Sequence, residues 1–348
     1  MSFGELGLAA NIGLFLVGGI IVWIAGTRLA RYADQISLKT GIGQALLGLL
    51  FLGGVTSLPE VAVAVSSSML GNTKLAVNNV LGGVTMQIAI LAVADFVIGR
   101  RALTAVVPDP AVLLQGSLNI VLLAIAACGA IAGDALVGGV GLWSWLILAV
   151  FIVSIWLLSR ADNRQPWIAN IEETEVSTSQ ESEQDREDPG DIDLRVLIGR
   201  STAASVAILA AGYLVARTGE AIAELSGLGQ SFTGAAFVAL TTSLPELSTV
   251  LAAVRLGLFT LAISDILGTN LFDVALIFVV DATSSGPPVL AEAGRFAAVA
   301  SLLGILVTAL FMVGLAERRD RTFMRLGIDS LAVVAVYGGG LVLLYALR

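Results

Sequence analysis

Apolar stretches of about 20 residues, each long enough to cross a hydrocarbon core as a helix, recur along the whole chain. They predict ten transmembrane helices at 8–30, 44–70, 73–98, 111–133, 137–158, 194–216, 230–256, 258–281, 295–315 and 326–347. The pattern breaks once. Residues 161–193 are rich in Glu, Ser, Gln and Asp, carry few aliphatic side chains and cannot bury a core. The chain is therefore expected to be an all-α polytopic membrane protein. Its organisation is a five-helix unit at 1–160, an acidic disordered linker at 161–193 and a second five-helix unit at 194–348.

Composition sharpens this reading. Of 348 residues 57% are hydrophobic and only 13% charged, about half the charge of a soluble domain. A soluble enzyme, a nucleic-acid binder and a secreted disulfide domain all fit poorly. There is no histidine, and Cys128 is the sole cysteine, so soft-ligand zinc, copper and iron–sulfur sites lack ligands. No cofactor is expected, and any ion chemistry must use oxygen. The net charge of −8 is local: the linker holds eleven acids against Arg164 and Arg186, and the remainder has 16 acids and 17 bases.

Those bases are distributed unevenly. With the N-terminus outside, the inner loops collect 15 Lys and Arg and the outer side four (Lys74, Arg217, Arg295 and Arg348). The positive-inside rule then places both termini outside and the linker in the cytoplasm.

The two halves repeat. A shift of 186 positions lays GIGQALLGLLFLGGVTSLPE (41–60) over GLGQSFTGAAFVALTTSLPE (227–246), and LGNTKLAVNNVLGG (70–83) over LGLFTLAISDILGT (256–269). Five helices separate the copies, so they cross the bilayer in opposite directions. Inverted repeats of this kind mark transporters, whose binding sites lie near the midplane between the repeats.

The candidate site follows from the polar residues inside the apolar spans. Glu60 follows Pro59 near the middle of the second span, and Glu246 follows Pro245 in the equivalent position. A carboxylate at that depth costs about 2.5–3.5 kcal/mol even on insertion-based scales. Proline is expected to interrupt each helix and free carbonyls near 53–56 and 239–242. With the hydroxyls of Thr56, Ser57, Thr242 and Ser243, these oxygens would form a cage for a hard cation. The paired spans add Asp273 and, at the matching repeat position, Gln87; Thr269 and Asn270 offer further oxygens. Glu60, Glu246 and Asp273 have no Lys or Arg beside them in the sequence pattern, so cations or protons must neutralise them. Asp95 is read as an interfacial partner of Arg100, and Asp265 as structural rather than as a direct ligand.

At these residues the chain resembles the cation/calcium antiporter superfamily, which includes sodium/calcium and calcium/proton exchangers. The resemblance rests on TSLPE at 56–60 and 242–246, followed by NNVLGGVTMQ (78–87) and SDILGTNLFD (264–273). It implies that Glu60 and Glu246 are the central Ca²⁺ ligands, assisted by the carbonyls of Thr56 and Thr242. By the same resemblance Ser57, Gly53, Ala239, Ser243 and Thr269 fall at Na⁺ positions, with Gly53 and Ala239 acting through their carbonyls. Asp273 would be the central acid that carries a proton or pairs with an ion. The first repeat departs from the family pattern, with Gly83-Val84 in place of Ser-Asn and Gln87 in place of a final Asn.

The expected function is a secondary antiporter of the cytoplasmic membrane that exchanges Ca²⁺ for Na⁺. A Ca²⁺/H⁺ exchanger using the same carboxylates is the alternative, and a cation channel a distant one. An enzyme has no visible machinery here. The expected partners are Ca²⁺, Na⁺ or H⁺ and the lipid bilayer, with no nucleic acid.

Overall fold

The computed structural model describes residues 3–99, 101–107, 109–161, 192–226, 242–318, 320, 322–323 and 325–346. Residues 162–191 of the linker, Arg100, the start of the 230–256 span and Ala239 lie outside the described residues. The elements are α1 (Leu8–Thr40), α2 (Gln44–Thr56), α3 (Leu58–Met69), α4 (Thr73–Ile98), α5 (Leu103–Val106), α6 (Ala111–Ala132) and α7 (Leu142–Ala161) in the first half. The second half supplies α8 (Leu194–Leu225), α9 (Leu244–Arg255), α10 (Phe259–Thr283), α11 (Val289–Glu317) and α12 (Ile328–Ala346). Two small hairpins, β1–β2 (Leu136–Val137, Val140–Gly141) and β3–β4 (Thr322–Phe323, Leu326–Gly327), precede α7 and α12.

Among the described residues eight helices are long and apolar enough to cross a membrane, and the bent pair α2/α3 brings the number to nine. The remaining expected span, 230–256, is described only from Thr242 onward, where it contributes α9.

Several boundaries move. α1 runs to Thr40 rather than to 30, and α8 to Leu225 rather than to 216. Basic residues such as Arg28, Arg31 and Arg217 end an apolar run but not a helix, because their charged heads can snorkel while the backbone ladder continues. At 1.5 Å per residue, a 33-residue helix is about 50 Å long, well beyond the hydrocarbon thickness. Gly41 ends α1 by adopting the left-handed conformation (φ 72°) and bonding back to the Ser37 carbonyl at 2.9 Å. The spans expected at 137–158 and 326–347 each begin with a hairpin instead, and their helices start at Leu142 and Ile328.

The inversion of the halves is visible in how α1 and α8 pack. Gly18 of α1 faces Ala211 and Val215 of α8, whereas Arg28 and Tyr32 share a groove with Arg200, Ala203 and Ala204. Position rises along one helix as it falls along the other, so these repeat-equivalent helices are antiparallel.

Inside this pair, α10 is the most enclosed helix, with both its polar and apolar side chains buried over most of its length. It meets α2 at backbone distance. A Cβ on Gly53 would stand 2.7 Å from the Thr269 nitrogen, and one on Gly48 would stand 2.6 Å from the Ser264 Cβ. A Cβ on Gly268 would overlap the Leu49 backbone. Small residues at these three positions let the first repeat press its broken helix onto the second repeat.

Each half is also clamped at one end by a buried aspartate. Asp281 accepts hydrogen bonds from Gly141 N (2.9 Å), Ser144 Oγ (2.6 Å) and Val289 N (3.2 Å). Its repeat equivalent, Asp95, accepts from Gly327 N (2.6 Å) and Leu103 N (2.6 Å). The partners correspond as well: Gly141 to Gly327, Val289 to Leu103. Asp95 is thus held by backbone donors, one of them from the β3–β4 hairpin of the other repeat; Arg100, its expected partner, lies outside the described residues.

Removing such an acceptor strands several buried donors, each costing about 1–3 kcal/mol. Asp281→Ala is therefore expected to lower the thermal unfolding midpoint in detergent sharply. Glu5→Ala, at an exposed position, should leave the midpoint unchanged. Equal midpoints for the two variants would refute the clamp.

Candidate functional site: a buried cluster of oxygen ligands

Glu60 and Glu246 occupy the first turns of α3 and α9. Their prolines do not sit in the middle of a continuous helix. Pro59 and Pro245 lie at the start of the new helix, where the missing N–H costs nothing. In the first repeat the break is a 49° bend between α2 and α3, after a π-helical turn at Gly48–Gly53. The N-terminal end of each short helix carries a partial positive charge that favours a carboxylate there.

The expectation of freed carbonyls needs correction at Gly53. Its carbonyl accepts from Ser57 N at 3.0 Å and, at 3.3 Å, from the Thr56 hydroxyl. The local ladder closes around the break because Pro59 lies past it. Gly53 itself lies against the Thr269 backbone at the repeat interface, but its carbonyl is not orphaned.

The central contact joins the two halves. Gln87 Nε2 donates to Asp273 Oδ2 at 2.9 Å, and the two residues are repeat equivalents. They meet where the pseudo-two-fold relation maps one helix onto the other. Beside them the Thr56 and Thr269 hydroxyls lie 3.2 Å apart. The Ser57 hydroxyl faces Asp273, and the Glu60 carboxylate senses the charge of Asp273. Glu246 in turn senses Glu60, Asp273 and Asp265. Thr56, Ser57, Glu60, Gln87, Ser243, Glu246, Thr269 and Asp273 are all at most 8% exposed. Thr242 is half-buried at the start of the same segment.

Several oxygens in this cluster have no partner among the described residues. Glu60 Oε2, both Glu246 oxygens, Asp273 Oδ1, Gln87 Oε1 and Ser57 Oγ are buried and unbonded. Arg217–Glu220 forms an ion pair on α8, and among the described residues no base pairs with these carboxylates. A buried unpaired charge is costly, and a hard cation held by several oxygens relieves it. No three acidic side chains among the described residues come close enough to grip one metal ion alone. A cation here must therefore also use hydroxyl, amide and main-chain oxygens.

Asn270, expected to offer an oxygen, is fully buried with neither side-chain atom bonded among the described residues. Sequence reasoning missed two features. Thr249 hydrogen bonds to Asp265, and that pair has no counterpart in the first repeat. The roof formed by α1 and α8 was legible only as scattered glycines: a Cβ on Gly212 would stand 2.9 Å from Pro59 Cγ, and Gly26 faces Ser248.

The comparisons with known proteins agree with this architecture. The family model described as sodium/calcium exchanger protein matches residues 10–168 and 197–347, leaving out little beyond the linker. The inner membrane protein YrbG of Escherichia coli is 28% identical over 264 residues, which cover 76% of this chain and 77% of that protein. CaxA, an antiporter candidate of Alkalimonas amylolytica, is 25% identical over 309 residues, covering 85% and 88%. The solved structure of the sodium/calcium exchanger from Methanococcus jannaschii superposes with a TM-score of 0.71 at 16% identity, covering 96% of this chain and 98% of that one. This likeness shows a shared fold. With both halves covered by one family model, the chain belongs to the sodium/calcium exchanger family, a family of membrane transporters and not of enzymes.

Proposed function

We propose that this chain exchanges Ca²⁺ for Na⁺ by alternating access to the cluster around Glu60, Glu246 and Asp273. The observation that carries the reading is the set of buried carboxylate oxygens on Glu60 and Glu246 that have neither a hydrogen-bond nor a basic partner among the described residues. A site of that charge is expensive to leave empty at bilayer depth. Ca²⁺ on one stroke must be replaced by counter-ions on the next, and that requirement couples the two fluxes.

In this reading Thr56, Ser57, Thr242, Ser243 and Thr269 supply hydroxyl or main-chain oxygens, with the carbonyls of Gly53 and Ala239 completing the Na⁺ positions. Gln87 holds Asp273 oriented. The antiparallel pair α1/α8 roofs the broken helices through Gly26 and Gly212. Small residues there allow the pair to move across the core as a unit and open the site to one side at a time. Both termini lie outside, the repeats occupy 1–160 and 194–348, and 161–193 is a cytoplasmic tether; the excess of basic residues on the inner loops supports that orientation.

Proton coupling is the second reading, and Gly83 favours it. Thr269 stands at the equivalent position of the second repeat, and its hydroxyl meets Thr56; Gly83 offers no such oxygen. A Cβ at Gly83 would meet nothing within 4 Å among the described residues, so the position has room for a hydroxyl that the chain does not use.

Three outcomes test these readings. Glu60→Gln and Glu246→Gln should each abolish Ca²⁺ flux in proteoliposomes while the protein still elutes as a monodisperse peak; normal flux in either variant removes the site assignment. An imposed Na⁺ gradient should drive Ca²⁺ uptake at fixed membrane potential, whereas uptake driven only by a pH gradient moves the function to Ca²⁺/H⁺ exchange. Gly83→Ser should fold normally and strengthen the Na⁺ dependence of flux, and an unchanged dependence would dismiss the role given to the missing hydroxyl.

A further inference from the structure

The two repeats differ in charge one helical turn from the central cluster. α10 carries Asp265, Thr269 and Asp273 at spacings of four, which places them along one face. In the first repeat the position of Asp265 is held by Asn79, a neutral and half-buried residue. The residue that hydrogen bonds to Asp265, Thr249, corresponds to Val63. The carboxylate and its hydroxyl donor thus occur together, and only in the second half.

Asp265 is fully buried. Its Oδ2 accepts from the Thr249 hydroxyl, and its Oδ1 has no partner. Thr249 sits three residues beyond Glu246, on the same side of α9, and its hydroxyl oxygen also lies 3.0 Å from the Glu246 carbonyl. Glu246 presents two unpartnered oxygens and lies within electrostatic range of Asp265. Two buried carboxylates are thus linked through Thr249, and among the described residues three of their oxygens have no partner and no base pairs with either. Packing alone does not call for a charge here. Asn and Val would fill the same volumes, as they do in the first repeat.

We propose that Asp265, positioned by Thr249, forms with Glu246 an additional cation position of the second repeat, suited to a monovalent hard cation such as Na⁺. It extends the transport pathway along α10 toward the Arg255–Phe259 end. It also offsets the first repeat's loss at Gly83: one half gives up a hydroxyl, and the other gains a carboxylate. The unbonded Asp265 oxygen and one Glu246 oxygen, with a threonine holding the geometry, suit one Na⁺, leaving the other Glu246 oxygen with Glu60 and its neighbours for Ca²⁺. The inference rests on the exchange reading above, with Asp265 added to its ligand set.

The test uses the full-length protein. Na⁺ and Ca²⁺ binding are titrated separately by calorimetry on purified wild type, Asp265→Asn and Thr249→Val, and Na⁺-driven Ca²⁺ flux is measured in proteoliposomes. Both substitutions install the first repeat's residue. Asp265→Asn should weaken Na⁺ binding about tenfold or more and lower the number of Na⁺ bound by one, while Ca²⁺ affinity changes by less than about threefold. Thr249→Val, which keeps the charge, should weaken Na⁺ severalfold and decides the matter should Asp265→Asn fail to fold. Unchanged Na⁺ binding in both variants overturns the inference while leaving Na⁺-driven exchange intact. A wild type whose Ca²⁺ flux ignores Na⁺ overturns the exchange reading and this position with it.

Discussion

A carboxylate inside a bilayer has lost the water that would stabilise its charge, and most of this architecture can be read as an answer to that loss. Glu60 and Glu246 begin short helices, where the unpaired N–H groups of the first turn and the helix dipole face them. Asp273 is met by the amide of Gln87. These devices lower the cost of the charges without cancelling it, because amides and helix ends are neutral groups. The remainder is left for an ion. A basic residue at the centre would stabilise the fold and leave nothing for a cargo to do.

The same constraint explains why the helices are broken and packed so closely. A continuous helix satisfies its own backbone and turns its side chains outward in all directions. A helix that ends and restarts at membrane depth offers a first turn and a change of direction in the place where the ligands are needed. Such a break is tolerated only under cover, and the cover comes from backbone-distance contacts at Gly48, Gly53 and Gly268 within the core and from Gly26 and Gly212 in the α1/α8 roof.

Much of this was legible in the residues. The 186-residue shift, the paired TSLPE segments and the rarity of acids in apolar spans marked Glu60, Glu246 and Asp273 without any coordinates. The partnership of Gln87 with Asp273 follows once the repeats are known to be inverted, since equivalent positions approach one another near the symmetry axis. Other features left no periodic trace. Apolar patterning reports where a chain leaves the hydrocarbon rather than where a helix ends, so α1 and α8 came out short. A proline in sequence does not reveal whether it kinks a helix or starts one. Asp95 looked like an interfacial charge because its partners are backbone N–H groups, which every residue has. Asp265 was taken as structural since its partner, Thr249, is an ordinary helix residue until the two helices are seen together.

The hydrogen bond between Gln87 and Asp273 has a consequence for how such a molecule can be assembled. A dimer of two identical five-helix subunits would place the same side chain on both sides of its axis. Two aspartates there would repel, and two amides would leave the centre uncharged. An amide facing an acid requires the two halves to differ, and a single polypeptide guarantees that each unlike half meets its complement in a fixed ratio of one to one. Joining the halves is thus more than a convenience of folding: it makes an asymmetric centre available to a nearly symmetric protein.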